Sequence, residues 1–294
     1  MELRTVCQGL PVAPLCAMHA GVNTARTPTP CPALSVVIAA HNEAERLPAT
    51  LATLATYCKE TGLECEVIVV DDRSRDETLA LAQRSAPELA VRAVRLAGRG
   101  GVGMAVRAGL RLARGEHVLV CDADGAVPFA CLPALRAALR QGYALAIGSR
   151  RAAEGGILAR QPAHRVAIGH VWRLMVQVLA PTGVRDTQCG FKVMTGALAH
   201  AFAEQTHCRS FAFHVELLLL ARRLGHGVAE LPVVWRDQPG SKVRVVRDAL
   251  LMTLELTQLC LASTWVRDEP WRPWRALAST RRPQLGATPV RPLP

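Results

Sequence analysis

Three short apolar runs constrain the fold of this chain more than any other feature in it. Leu34–Ala40 (LSVVIAA), Glu66–Val70 (EVIVV) and His117–Cys121 (HVLVC) do not alternate apolar with polar residues. A strand wetted on one face alternates, so unbroken runs of this length mark strands covered on both faces, as in a parallel sheet between two layers of helices. Between the first two runs, Leu47, Leu51, Leu54 and Cys58 recur at helical spacing, and Pro48 suits a first helical turn. The unit is β-α-β.

The alternation continues. A second helix is expected after Asp72, opened by Ser74 with Glu77 three residues on, the spacing of a capping box. A third strand near Val91–Leu96, a third helix near Met104–Arg114 and a helix–strand pair ending at Ile147 follow. The expected fold is α/β: a single domain over residues 34–263 with a doubly wound sheet flanked by helices, its ligands at the carboxyl ends of the strands. After Ser149 comes a basic stretch with glycines, from Arg150 to Arg165, which reads as a mobile loop. Then come a helix through Val166–Val178, a polar turn around Asp186, a helix from His214 to Leu224, a strand from Val228 to Trp235 and a helix from Val245 to Ala262. Residues 1–33 read as an irregular extension, and 264–294, with six prolines, as a disordered Pro/Arg-rich tail.

Composition narrows the function. Lys and Arg number 35 against 24 Asp and Glu, a net charge of +11, yet only 4% of the residues are aromatic. Too few rings exist to build a stacking platform for single-stranded nucleic acid, so the excess charge points to anionic small molecules or a membrane surface rather than to nucleic acid. The ten Cys form no C-x-x-C pair. Free thiols in a reducing cytoplasm are expected. The uncharged stretch Thr5–Ala25 is broken by Pro11, Pro14 and several polar residues, so no segment reads as a bilayer-spanning helix.

The chemistry concentrates at strand ends. Asp122-Ala123-Asp124 stands directly after the third run, placing two carboxylates where a divalent cation can hold a diphosphate; Mg²⁺ and Mn²⁺ keep few protein ligands and take the rest from phosphate and water. Asp71-Asp72 ends a neighbouring strand, so four acids gather on one sheet edge and repel one another unless cations or hydrogen-bond donors intervene. For Asp72, turn and helix-cap duty is the competing reading. The glycine-rich turn at Gly98, Gly100, Gly101 and Gly103 lacks the Lys-Ser/Thr ending of an ATP-binding loop.

Taken in order, several strings resemble family 2 glycosyltransferases, particularly those acting on dolichyl and other polyprenyl phosphates. They are Ser35–Ile38 with Asn42-Glu43, Val69–Ser74, Ala105–Gly109, Asp122–Ala126, Gly148–Arg150, Asp186–Lys192 and Trp235 to Ser241-Lys242. The resemblance covers about residues 34 to 260. It implies a GT-A fold with a Rossmann-like, mixed but mostly parallel sheet, a UDP-sugar donor, Mg²⁺ or Mn²⁺, and inversion at the anomeric carbon. Carried over by position, Ala39, Asn42, Glu43, Asp71, Asp72 and Gln188 would contact the nucleotide-sugar, with Glu43, Asp71 and Asp72 on uracil and ribose. Asp122, Ala123 and Asp124 would hold metal and diphosphate. Arg107 would neutralise phosphate, Arg150 and Arg165 would face the acceptor's phosphate, and Gln188 and Lys192 would sit on a loop closing the site. Lys242 would grip the diphosphate from a lid. Three departures stand out: Val102 where the family commonly has Lys, His214 where it commonly has Asp, and His41 where it commonly has Tyr.

Acceptor chemistry follows from that resemblance. A sugar hydroxyl needs a general base, whereas a polyprenyl phosphate is already anionic and attacks directly. The alternatives are a soluble enzyme acting on a small phosphorylated metabolite, or a nucleotide-sugar binding protein without turnover. A polyprenyl acceptor would require contact with a membrane surface. Trp265, Trp271 and Trp274 beside Arg267, Arg272 and Arg275 suit a headgroup zone, so peripheral attachment at the cytoplasmic membrane face is expected.

Overall fold

The structure, a computed structural model, describes residues 31–262 apart from 85, 153–155, 158–162, 237 and 239–244. Along the chain run β1 (Leu34–Ala40), α1 (Leu47–Thr61), β2 (Cys65–Asp71), α2 (Thr78–Arg84), β3 (Ala90–Arg95), α3 (Val102–Leu112), β4 (His117–Asp122), α4 (Leu132–Arg140) and β5 (Leu145–Ser149). The second half holds β6 (Gly156–Ile157), α5 (Ala163–Leu179), β7 (Lys192–Thr195), α6 (Gly196–Gln205), α7 (Phe213–Arg223), β8 (Val228–Pro232), β9 (Val234–Trp235) and α8 (Val245–Ala262).

Seven strands form one sheet in the order β3-β2-β1-β4-β7-β5-β8, and β6 pairs with β9 separately. All neighbours in the large sheet are parallel except β7, which runs antiparallel to both β4 and β5. The mixed, mostly parallel sheet expected from the sequence is what forms. Its unbroken apolar runs have a direct cause: Val37, Ile68, Val70, Val118 and Val120 pack under α3, α6 and α7, while Val36, Ile38, Val67, Val69 and Leu119 pack under α1 and α4. Both faces are core, so the side-chain period of two carries no polar phase.

Three local expectations need correction. The helix after Asp72 starts at Thr78 rather than behind Ser74, because Asp76 Oδ1 accepts the Thr78 amide while the Ser74 hydroxyl is committed to the Asn42 amide. The strand expected over 228–235 is broken at Val233, because the chain changes partner there: β8 pairs with β5 and β9 with β6. The polar stretch around Asp186 leads into β7 and α6, neither of which the pattern announced. The proposed 1–33 extension, apart from its last three residues, and the 264–294 tail lie outside the described residues. Among those described, no helix is long and apolar enough to cross a membrane, and the eight cysteines are free thiols.

Strand beginnings are tied together at the edge opposite the site. Buried Glu66 accepts hydrogen bonds from the Ser35 hydroxyl at 2.6 Å, the Arg114 amide at 2.7 Å and the Arg114 guanidinium at 3.0 and 3.1 Å. Burial alone would raise its pKa; the donors outweigh it and hold the carboxyl below its ordinary value. A lowered carboxyl stabilises the fold above the unfolded value, about 4.3, and stops doing so as pH falls through the folded one. Glu66→Gln should therefore cost about 2 kcal/mol in urea unfolding at pH 7. The gap between the variant and the natural protein should close in acid.

Candidate active site

Strand order reverses between β1 and β4, and the crevice at such a point is where an open α/β sheet accepts ligands. A cavity of about 670 Å³ opens there, lined by Ala39 and Ala40 from the end of β1, Asp122, Ala123 and Asp124 from the end of β4, and Glu43, Asp72 and Gln188. Five guanidinium side chains, Arg46, Arg99, Arg150, Arg209 and Arg247, share the wall with these acids. Sequence reasoning singled out one of the five. The other four come from the start of α1, the turn before α3, the loop before α7 and the start of α8, and only the fold brings them together.

The turn from β4 sets the acids. Asp122 is open to the cavity but enclosed by protein elsewhere; that enclosure first, and then the charge of Asp124, raise its carboxyl to about 6. Asp124 Oδ1 accepts the Ala126 amide at 3.1 Å, which orients the second carboxylate. The Thr50 hydroxyl donates to the Ala123 carbonyl at 2.8 Å and ties the turn to α1.

Opposite this turn lies the 186–190 segment. Both oxygens of Asp186 accept from the Arg150 guanidinium, at 2.7 and 2.8 Å, and the Arg150 amide donates to the same carboxylate at 3.0 Å. Although burial opposes it, that pairing holds the Asp186 carboxyl below its usual range. The Arg150 guanidinium also lies 5.5 Å above the Trp235 ring, so it is aimed as well as charged. Gly190 meets Asp122 so closely that a Cβ there would fall 2.1 Å from Asp122 Oδ2. Next to it, Gln188 Nε2 is buried and has no hydrogen-bond partner among the described residues. A buried donor left unmet at a cavity wall is an offer to a ligand oxygen.

Lys192 is not on the closing loop. It is the first residue of β7, wholly buried, and its ammonium donates to the carbonyls of Thr187, at 3.2 Å, and Cys189 and to His214 Nδ1 at 3.0 Å. Burial pushes the ammonium down to about 8. His214 is buried beside it on α7, and burial first, then the charges of Lys192 and Arg150, drive the imidazole well below its ordinary value. The ring therefore accepts as a neutral base. The residue that departs from the family pattern is a core partner of Lys192, and it does not line the cavity.

Other expected residues divide. Asp72 lines the cavity and also caps the turn before α3, accepting the amides of Gly100 at 2.6 Å and Gly101 at 3.0 Å, so the competing reading holds as well. Asp71 lies behind the wall, bonded to Arg95 Nε at 2.5 Å and to the Ser74 amide at 3.1 Å. Asn42, in the left-handed region at φ 56°, uses its amide oxygen to hold the Arg75 amide at 2.8 Å. Arg107 is buried, donating to the Cys208 carbonyl rather than facing the cavity, because α3 packs that face against the 208–209 loop. The same packing explains the glycines: a Cβ at Gly103 would stand 2.3 Å from the Cys208 oxygen. Val102 does line the cavity, as does Arg209, which donates to the carbonyls of Gly100 at 3.2 Å and Arg99 at 3.3 Å. Lys242 and the Arg165 side chain lie outside the described residues.

Comparison with known proteins agrees with this geometry. The model of glycosyl transferase family 2 matches residues 35–205. Dolichyl-phosphate β-glucosyltransferase of Drosophila melanogaster is 35% identical over 80% of this chain and 74% of its own length; that of Mus musculus is 36% identical over 73% and 71%. Among solved structures, glucosyl-3-phosphoglycerate synthase from Mycobacterium tuberculosis in complex with UDP superposes with a TM-score of 0.61 at 19% identity, covering 78% of this chain and 80% of that one. The fold is that of the GT-A glycosyltransferases, and the chain belongs to glycosyl transferase family 2.

The donors present suit a divalent ion. Asp122 and Asp124 offer hard carboxylate oxygens into the cavity, and no group of three or more His, Cys, Asp or Glu gathers as a metal cage among the described residues. Two such ligands match an ion that completes its shell with phosphate and water. Gly190→Ala should displace the Asp122 carboxylate while leaving the core packed. The variant should unfold cooperatively near the natural midpoint yet lose at least tenfold in UDP affinity with Mn²⁺ in calorimetry. Unchanged UDP affinity would show that the contact with Asp122 is idle.

Proposed function

We propose that this chain is an inverting glycosyltransferase that moves glucose from UDP-glucose to a polyprenyl phosphate of the dolichyl type, using Mg²⁺ or Mn²⁺. One observation carries the reading: a carboxylate pair at the β1/β4 crevice faces a wall of guanidinium groups across a cavity of about 670 Å³. That is the charge arrangement a metal-bound diphosphate and a second phosphate require. Relatives of the chain over most of its length are dolichyl-phosphate β-glucosyltransferases. The structural neighbours include a synthase crystallised with Mn²⁺ and UDP-glucose.

In this reading Ala39, Glu43 and Asp72 receive the nucleoside, with Asn42 and Asp71 fixing the loops behind them. Asp122 and Asp124 hold the ion, and Gln188 donates to an oxygen of the donor. The ion, when bound, supplies positive charge to the leaving diphosphate. Arg150 directs the acceptor's phosphate, and Lys242 and Arg165 serve the same two phosphates. Arg107 supports the Cys208 carbonyl beneath the wall and touches no ligand. The acceptor phosphate is an anion at neutral pH, so no protein group need remove a proton. The chain's task is to hold nucleophile, anomeric carbon and leaving oxygen in line.

Membrane contact belongs to the same proposal. The outward faces of α5 and α8, which pack together, expose Val171, Leu174 and Val178 beside Leu250, Leu254 and Leu261. Neither outward face carries an acidic residue; α5 has none, and Asp248 and Glu255 of α8 turn into the cavity. Leu251 lies on both the cavity wall and the exposed side, so a lipid tail leaving the site has an apolar path to this face. The Trp- and Arg-rich segment after Ser263 lies outside the described residues but follows α8 directly in sequence.

With UDP-glucose and Mn²⁺, the purified chain should glucosylate a short polyprenyl phosphate, and Asp124→Ala should reduce kcat/KM by at least a hundredfold. Transfer to phosphoglycerate in preference to the lipid would instead establish the soluble alternative. On anionic vesicles, Leu250→Asn with Leu254→Asn should weaken co-sedimentation about tenfold, because two interfacial leucines are lost. UDP affinity should stay unchanged in that double variant.

A further inference from the structure

We propose that Arg46 is the resident cation of the Asp122-Ala123-Asp124 turn: it neutralises Asp124 before donor and ion bind, and releases that carboxylate to the ion while keeping its hold on Glu43. The proposal rests on the donor-site reading above and concerns how that site is kept poised.

Arg46 stands at the N-cap position of α1, and Glu43, three residues before it, holds its guanidinium. The next turn of the helix places that guanidinium near the acids of the β4 turn. Thr50, four residues on and so on the same helical face, donates its hydroxyl to the Ala123 carbonyl at 2.8 Å, and Gly125 packs on Thr50. The beginning of α1 is therefore stitched to the turn that carries both acids, and Arg46 projects over it.

Its two attachments are unequal. To Glu43 the guanidinium donates twice, from Nε at 2.7 Å and from Nη2 at 2.5 Å, a bidentate charged pair. To Asp124 it donates once, from Nη1 at 3.4 Å, near the limit of a hydrogen bond. Asp122 is the third carboxylate acting on it. One guanidinium thus serves three acids inside a partly enclosed cavity, where its side chain and that of Asp124 are 16% and 23% exposed. The weak bond is to the carboxylate expected to hold the ion, and the strong one is to the residue expected to meet the nucleoside. Asp124 remains oriented without Arg46, because Ala126 holds its other oxygen.

The consequence is a competition. While Arg46 balances Asp124, a lone divalent ion gains little there and must displace a charge already present. A diphosphate arriving with the ion adds the negative charge that lets both cations remain. Ion and nucleotide should therefore bind with strong mutual dependence, and Arg46 should be its source.

Free Mn²⁺ measured by electron paramagnetic resonance during titration of the full chain, with and without UDP, tests this without requiring turnover. Arg46→Met should bind Mn²⁺ alone about tenfold more tightly than the natural chain, and the enhancement by UDP should shrink by a similar factor. Arg46→Gln, which keeps a donor for Glu43 but no charge, should behave in the same way. Arg46→Lys, which keeps the charge, should stay near the natural value. Equal Mn²⁺ affinity in Met, Gln and natural chains that still bind UDP overturns the role of Arg46 and leaves the donor reading standing. Absence of UDP binding by the natural chain removes both.

Discussion

The buried ammonium of Lys192 holds the far wall of the site in place. It clasps the carbonyls of Thr187 and Cys189, so the segment between Asp186 and Gly190 cannot move as an independent loop. From that segment come the carboxylate that aims Arg150, the unmatched amide of Gln188 and the glycine that touches Asp122. A charged group without exposure is costly, and here the cost is offset by two carbonyl dipoles, the neutral ring of His214 and the field of nearby Asp186. β7, which begins at Lys192, lies antiparallel between β4 and β5 directly after this segment.

The cavity is electrostatically self-consistent without any bound molecule. Glu43 and Asp124 share Arg46, Asp186 is matched by Arg150, and Asp72 is satisfied by two backbone amides. The Arg46 pairs are partly open to the cavity, so a polyanionic ligand can reorganise them at modest cost, whereas Asp186 is buried and its pairing with Arg150 is costly to break. Asp122 is different. No hydrogen bond to its carboxylate compensates its enclosure among the described contacts, and its affinity for protons rises accordingly. A carboxylate held in that condition favours whichever cation reaches it.

Two departures from the family pattern resolve differently. Val102 faces the cavity, which Arg209 also lines from another part of the chain. His214 turns inward and accepts a hydrogen bond from the buried ammonium of Lys192.

The sheet and the carboxylate turn were legible in the sequence because both depend on local signals. Uninterrupted Val and Ile runs require cover on two faces, and acids directly after such runs must stand at the carboxyl ends of the strands. Ala39, Glu43, Asp72, Asp122, Ala123, Asp124, Arg150 and Gln188 do meet in one cavity. What tertiary structure alone decided was where the long side chains point. Arg107 and Arg209 look alike as letters, yet α3 packing buries the first and leaves the second on the wall. Lys192 is expected on a loop closing the site, but burial of the 187–189 carbonyls gives it a place in the core. Arg46 carries no motif at all; its position over Asp124 follows from Thr50 bonding to a strand end seventy-three residues away. Flexible charged side chains take their direction from whichever partners the fold brings near, and those partners are distant in sequence.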